Sequence, residues 1–256
     1  VRWHQGEIEG AAAAFREVAE HSPADLGARN GLALALARLG NPEEGIEELQ
    51  RALMVARRHP DVFCNLGVLH QRQGEAEVAE QYFTGALRRQ PGHPAARYDR
   101  GICWMLRGWF RAALEDLDGA ARADPECAWP RVQEAVCWYY LGNKARALEY
   151  ARRAVRQDES DFYVLYNAGT LMVREGAVEG AMTCLEKAYE MRPEDPEVLI
   201  NLGVACHLVG RPRQALDHFR AAVRLNPRHA LARYNWRSPT TWWRCWGRRR
   251  SNSKNC

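Results

Sequence analysis

The sequence predicts an all-α fold, a solenoid of stacked helix-turn-helix hairpins, and three features predict it. Glycines recur every 34 residues, at Gly6, Gly40, Gly74, Gly108, Gly142, Gly176 and Gly210. Small or β-branched side chains follow each glycine at two fixed helical offsets, with a mostly large apolar residue between them. A proline then closes five of the seven periods, at Pro23, Pro91, Pro125, Pro193 and Pro227. A fixed period of this length is the signature of a repeat array, because one hairpin cannot bury its own apolar face and must stack on the next.

The elements follow in order. Residues 1–25 are a partial repeat in which Ala11, Phe15 and Val18 share one helical face and Pro23 stops the helix. Residues 26–59 form the first complete repeat, with Gly40 at the turn, Gly45, Leu49 and Ala52 on the second helix, and Arg57 in the proline position. In 60–93 the same places hold Gly74, Ala79, Phe83, Ala86 and Pro91, and in 94–127 Gly108, Ala113, Leu117, Ala120 and Pro125. Residues 128–161 carry Gly142, Ala147, Ala151 and Ala154, with Glu159 replacing proline. Residues 162–195 and 196–229 return to the rule with Leu185 and Phe219 as their large residues. An eighth repeat starts over 230–236, and 237–256 diverges.

These residues resemble the tetratricopeptide repeat family, whose period and pattern they follow across 26–229 as six complete repeats; the stretches from Asn65 to Pro91 and from Asn201 to Pro227 carry the resemblance most fully. It implies a right-handed superhelix whose first helices line a concave groove, with the second, fifth, sixth, ninth, twelfth and thirteenth repeat positions facing inward. The sixth reads Asn65, Asp99, Gln133, Asn167, Asn201 and Asn235. A carboxamide both donates and accepts, so a row of them suits the backbone of an extended peptide whatever its side chains. The row is similar to the asparagine ladder in the tetratricopeptide region of O-linked N-acetylglucosamine transferases, with Asp99 and Gln133 as departures. The competing reading is that these side chains bridge neighbouring helices.

Other groove positions add Tyr98, Trp129, Tyr139, Tyr163 and Tyr166 in the middle repeats, and Arg38, Arg72 and Arg174 at the thirteenth position. Rigid aromatics and arginine are the residues interface hot spots favour. The Lys and Asn clamp with which the chaperone-binding branch of the family grips a terminal carboxylate is missing from the fifth and ninth positions.

Two departures carry charge. Arg29, Arg97, Arg131 and Arg233 occupy the fourth position, where the family has an aromatic or leucine; their stems are expected to cover apolar surface while the heads reach water. Arg100 and Glu134 occupy the seventh position in consecutive repeats and are expected to pair.

Composition excludes several classes. No run of apolar residues is long enough to span a membrane. The net charge is +4, but six cations and no acids follow Asn235, which leaves the repeats at −2 and without the clustered Lys and Arg that nucleic acid demands. Eight cysteines occur without a C-x-x-C pair, so they read as core residues in a reducing, cytoplasmic compartment, with no metal and no cofactor. His59, His93 and His229 fall in turns, no nucleophile motif is present, and the chain is expected not to be an enzyme. The tail "WRSPTTWWRCWGRRRSNSKNC" has either an aromatic and basic binding role or a disrupted reading frame; supplying one base after Asn235 restores Leu, Ala and Tyr at pattern positions.

The expected function is a scaffold or adaptor that binds another protein or an extended peptide. Val1 falls in mid-pattern, so the alternatives are the recognition arm of a larger transferase and a self-assembling array joined as a homo-oligomer through its end repeats.

Overall fold

The structure, a computed structural model, describes residues 5–230. All of their regular elements are helices, and they divide between Pro125 and Glu126 into two compact units. In the first, α1 (Gln5–His21) packs on a hairpin of α2 (Leu26–Arg38) and α3 (Pro42–Val55), followed by hairpins α4 (Pro60–Arg72)/α5 (Ala76–Arg89) and α6 (Pro94–Leu106)/α7 (Phe110–Ala123). The second stacks three hairpins, α8 (Trp129–Tyr140)/α9 (Lys144–Gln157), α10 (Phe162–Glu175)/α11 (Val178–Met191) and α12 (Pro196–Leu208)/α13 (Pro212–Leu225).

Six of the seven periodic glycines reverse the chain between paired helices with φ between 75° and 93°, a conformation that costs other residues their Cβ clearance. Gly6 departs from that expectation and lies within α1, which has no first helix ahead of it among the described residues. Helices α1, α5, α7, α11 and α13 each end two residues before a proline. α3 and α9 stop at the same register without one. After α9, Asp158 accepts bonds from the Ser160 and Asp161 amides, an Asx turn that ends the helix in proline's place and holds the Asp158 carboxyl below its usual range. Asp25, His93, Asp161 and Asp195, each in the last repeat position, cap the next helix through their side chains.

The core forms where the pattern places it. Leu49, Phe83, Leu117 and Leu185 are fully buried between the helices of their own hairpins, beside the small residues of the series. Two close fits oppose glycine to phenylalanine: a Cβ on Gly67 would lie 2.5 Å from the Phe83 ring, and one on Gly203 would lie 2.5 Å from Phe219. All six described cysteines are free thiols and five are buried.

The buried charges depart from expectation. Arg100 and Glu134 fall in different units, and Arg100 is bound within its own hairpin. It donates two bonds to Asp116 on its own hairpin, at 2.6 and 2.9 Å, and one to Thr84 at 3.2 Å. Glu134 is held by Arg131, three residues away on α8, at 2.7 Å. In each case the partner lies within the same hairpin. The fourth-position arginines also do more than cover surface. Arg29 and Arg97 each donate at 2.8 Å to the carbonyl of the proline six residues earlier, tying one repeat's end to the next. Each faces the same register of its second helix, where Arg29 meets Glu48 at 2.7 Å, Arg97 approaches Asp116 at 4.0 Å, and Arg131 lies over the Tyr150 ring at 5.9 Å.

Candidate functional site

Two side chains of the sixth-position row, Asn65 and Asn201, bridge consecutive repeats. Asn65 donates through Nδ2 to Asn30 Oδ1 at 3.2 Å, and Asn201 donates to Tyr166 Oη at 3.4 Å and to Thr170 Oγ1 at 3.1 Å. The partner is in each case the fifth or ninth position of the preceding repeat, on a parallel first helix. Asn167 has Val132 at the equivalent fifth position, which can accept nothing, and its amide turns back to the Tyr163 carbonyl on α10 at 2.8 Å. These bonds occupy amide protons. The amide oxygens of Asn65, Asn167 and Asn201 accept no hydrogen bond among the described residues, and all three side chains are half-exposed. Gln133, on α8, is half-exposed, and Asn235 lies outside the described residues.

Asp99 breaks the row. Its fifth-position neighbour is Cys64, with Sγ 4.0 Å from Oδ2. Burial raises the Asp99 carboxyl from 3.8 to about 6, against an opposing pull from His93, and burial together with Asp99 pushes the Cys64 thiol up to about 12.

Three of the five candidate aromatics come together in the second unit. Trp129 and Tyr163, in the same position of consecutive repeats, have ring centroids 5.7 Å apart and are 41% and 46% exposed. Tyr166 stacks parallel to Phe162 at 6.0 Å, and Phe162 meets Tyr163 edge-on at 5.2 Å. Sequence reasoning missed Phe162 and Arg192. Arg192 lies 3.8 Å above the Phe162 ring and 4.8 Å from that of Tyr163, and it donates to Tyr163 Oη at 3.3 Å. Tyr139 instead packs against the core and edge-on to Tyr140, which is 57% exposed. Tyr98 is half-buried beside Asp99 on α6. Arg38, Arg72 and Arg174 stand exposed in the last turns of α2, α4 and α10, where the helix dipole favours a cation.

Trp129 has a second task. Its Nε1 donates to Asp161 at 3.3 Å, joining the second and last positions of one repeat. His93 and Asp61 at 2.8 Å, and His229 and Glu197 at 2.5 Å, join the same two positions elsewhere. His93 and His229 are therefore clasps. His93 accepts from the Ala96 amide through Nδ1, so its Nε2 carries the proton donated to Asp61. Among the described residues no three His, Cys, Asp or Glu side chains are grouped to hold a metal ion, and no helix is long and apolar enough to cross a membrane.

Sequence models described as tetratricopeptide repeat match residues 37–193, 2–63 and 196–229, and the chain belongs to the tetratricopeptide repeat family. Tetratricopeptide repeats generally serve as protein–protein interaction scaffolds. Comparison with the curated proteins finds no match. Among solved structures the chain is similar to YrrB, described as a TPR protein with an unusual peptide-binding site, at 22% identity and a TM-score of 0.57, over 73% of this chain and 96% of that one. It is similar to PilF of Pseudomonas aeruginosa at 17% identity and a TM-score of 0.69, over 88% and 96% of the two chains. The Cut9–Hcn1 assembly of the APC/C matches at 12% identity and a TM-score of 0.76, over 91% of this chain and 46% of that one. These likenesses establish the fold.

Proposed function

We propose that the chain is an adaptor that binds an extended polypeptide segment along the first helices of its hairpins, with the contact centred in the second unit on Gln133, Asn167 and Asn201 and the Trp129–Tyr163–Tyr166 cluster. The observation that carries this reading is the row of half-exposed carboxamides, with the oxygens of Asn167 and Asn201 accepting nothing among the described residues, beside two rings that remain close to half exposed. An amide oxygen tied down by its own N–H donor is pre-oriented, so it accepts from a peptide N–H at little cost in side-chain entropy. Helices stack about 10 Å apart and an extended chain advances roughly 3.3 Å per residue, so each repeat meets about three ligand residues. Trp129, Tyr163 and Arg192 supply the apolar and cationic anchors that a backbone row lacks.

The test is affinity capture from the source cell, with the chain as bait beside its Asn167→Ala/Asn201→Ala variant. The variant is expected to lose the captured protein while its melting free energy stays within about 1 kcal/mol of the parent. Undiminished capture by a folded variant refutes the reading.

A further inference from the structure

Among the described residues, the two fully buried carboxylates each have a guanidinium beside them. Asp116 is 3% exposed and bound by Arg100 at 2.6 Å, and Glu134 is 1% exposed and bound by Arg131 at 2.7 Å. The largely buried Glu48 is held by Arg29 at 2.7 Å and also by Arg51. Asp99 is half-buried on α6, and no Lys, Arg or His among the described residues approaches it within ion-pair distance.

Its surroundings explain why. Arg100, next in the chain, points to Asp116 and Thr84. His93 is held by Asp61 and by the Ala96 amide. The preceding repeat presents Cys64 and Val68 in the places where Tyr166 and Thr170 meet Asn201, and neither is a strong donor. Of the charged and titratable groups around it, His93 at the start of α6 draws the carboxyl down, but from beyond ion-pair distance; Asp61 and Cys64 come from α4 and Cys103 from α6, and Asp99 raises both thiols, so none of these three neutralises it. An unpaired, partly desolvated carboxylate costs free energy that a partner can recover.

We infer that Asp99 is the specificity residue of the first unit, the place where a lysine or arginine side chain of the bound peptide enters the amide row. The inference rests on the peptide-binding reading proposed above. The row then works in two modes: Asn65 meets the ligand backbone and reads no side chain, whereas Asp99 has only acceptors to offer and selects a cation. The strongly raised Asp99 carboxyl is the signature of the missing charge, and an incoming cation lowers it.

Random peptides displayed on phage are selected against the full chain and against its Asp99→Asn variant, which keeps shape and size and restores the row's own residue type. A peptide enriched by the parent is then synthesised with its basic residue intact and with that residue replaced by glutamine. The parent is expected to enrich Lys or Arg at one register and to prefer the basic peptide by about tenfold or more. The variant is expected to bind both peptides alike. Equal enrichment of basic residues by both proteins overturns the role of Asp99 while leaving peptide binding in place. Enrichment of nothing by either protein overturns both. A cooperative melt for the variant at or above the parent's melting temperature shows that loss of fold is not the variable.

Discussion

Substituting Gly67 by alanine tests whether hairpin packing is as tight as the repeat pattern requires. A Cβ there would lie 2.5, 2.8 and 2.9 Å from three atoms of the Phe83 ring, and Phe83 is fully buried among Ala79, Ala86, Leu87 and Ala96. The ring has nowhere to retreat, and overpacking of this kind costs about 1–3 kcal/mol. Alanine offsets part of this, because it gains about 0.5–1 kcal/mol over glycine inside a helix. The net loss is about 1–2 kcal/mol, a fall of several degrees in melting temperature for a chain of this size. Gly10 is the internal control. It lies inside α1 with nothing within 4 Å of the added Cβ, so Gly10→Ala is expected to stabilise by up to about 1 kcal/mol. Adding Phe83→Leu to Gly67→Ala should recover part of the loss, since Gly101 already opposes Leu117 at 3.1 Å. Guanidinium melts followed by circular dichroism measure all four proteins. Equal effects of Gly67→Ala and Gly10→Ala would refute the packing argument, because propensity alone would then account for both.

Three further outcomes follow from the polar groups. The folded state raises the Asp99 carboxyl from 3.8 to about 6, so its proton favours the folded chain: the stability is fully present below about pH 4 and is lost as the pH rises through about 6. The gap corresponds to at most about 3 kcal/mol, which partial exposure reduces; Asp99→Asn should flatten this dependence in urea melts at a series of pH values, and an unchanged profile would contradict the assignment. Asp116→Ala strands Arg100 in the first unit and should cost about 3–5 kcal/mol, whereas replacing both with well-packed apolar residues should cost far less, a double-mutant comparison that fails if the two variants are equally unstable. Burial pushes the Cys64 and Cys137 thiols up to about 12, so near neutral pH the half-buried Cys127 should be alkylated first among the six described cysteines, as mass spectrometry of the modified sites would show; early modification of Cys64 or Cys137 would contradict their burial.

The fold was legible because the pattern that specifies it is local and repeated: Gly40 and its equivalents dictate the turns, and Phe83 or Leu185 opposite a small residue dictates how a hairpin closes. Charge partners were harder. The pairing of Arg100 with Asp116 depends on a carboxylate that its own second helix presents, and identity at one repeat position does not say that. The site was legible in composition and less so in geometry. The sixth-position row and the nearness of Trp129 to Tyr163 follow from the period, but Arg192 was invisible because it enters from the turn after α11 and belongs to no groove position. The inter-repeat bridges did leave a signal that went unused, since a fifth position and the sixth of the next repeat are always 35 residues apart, as Asn30 and Asn65 or Tyr166 and Asn201 are.

The central claim is that the first-helix face is the binding surface. Amide spectra of the isotope-labelled chain, recorded while a phage-selected peptide is titrated in, test it residue by residue. The account predicts that the side-chain amides of Asn167 and Asn201 and the Trp129 indole shift together and saturate at one affinity. Saturable shifts confined to the outer surfaces of the second helices, with those three signals unmoved, would contradict it.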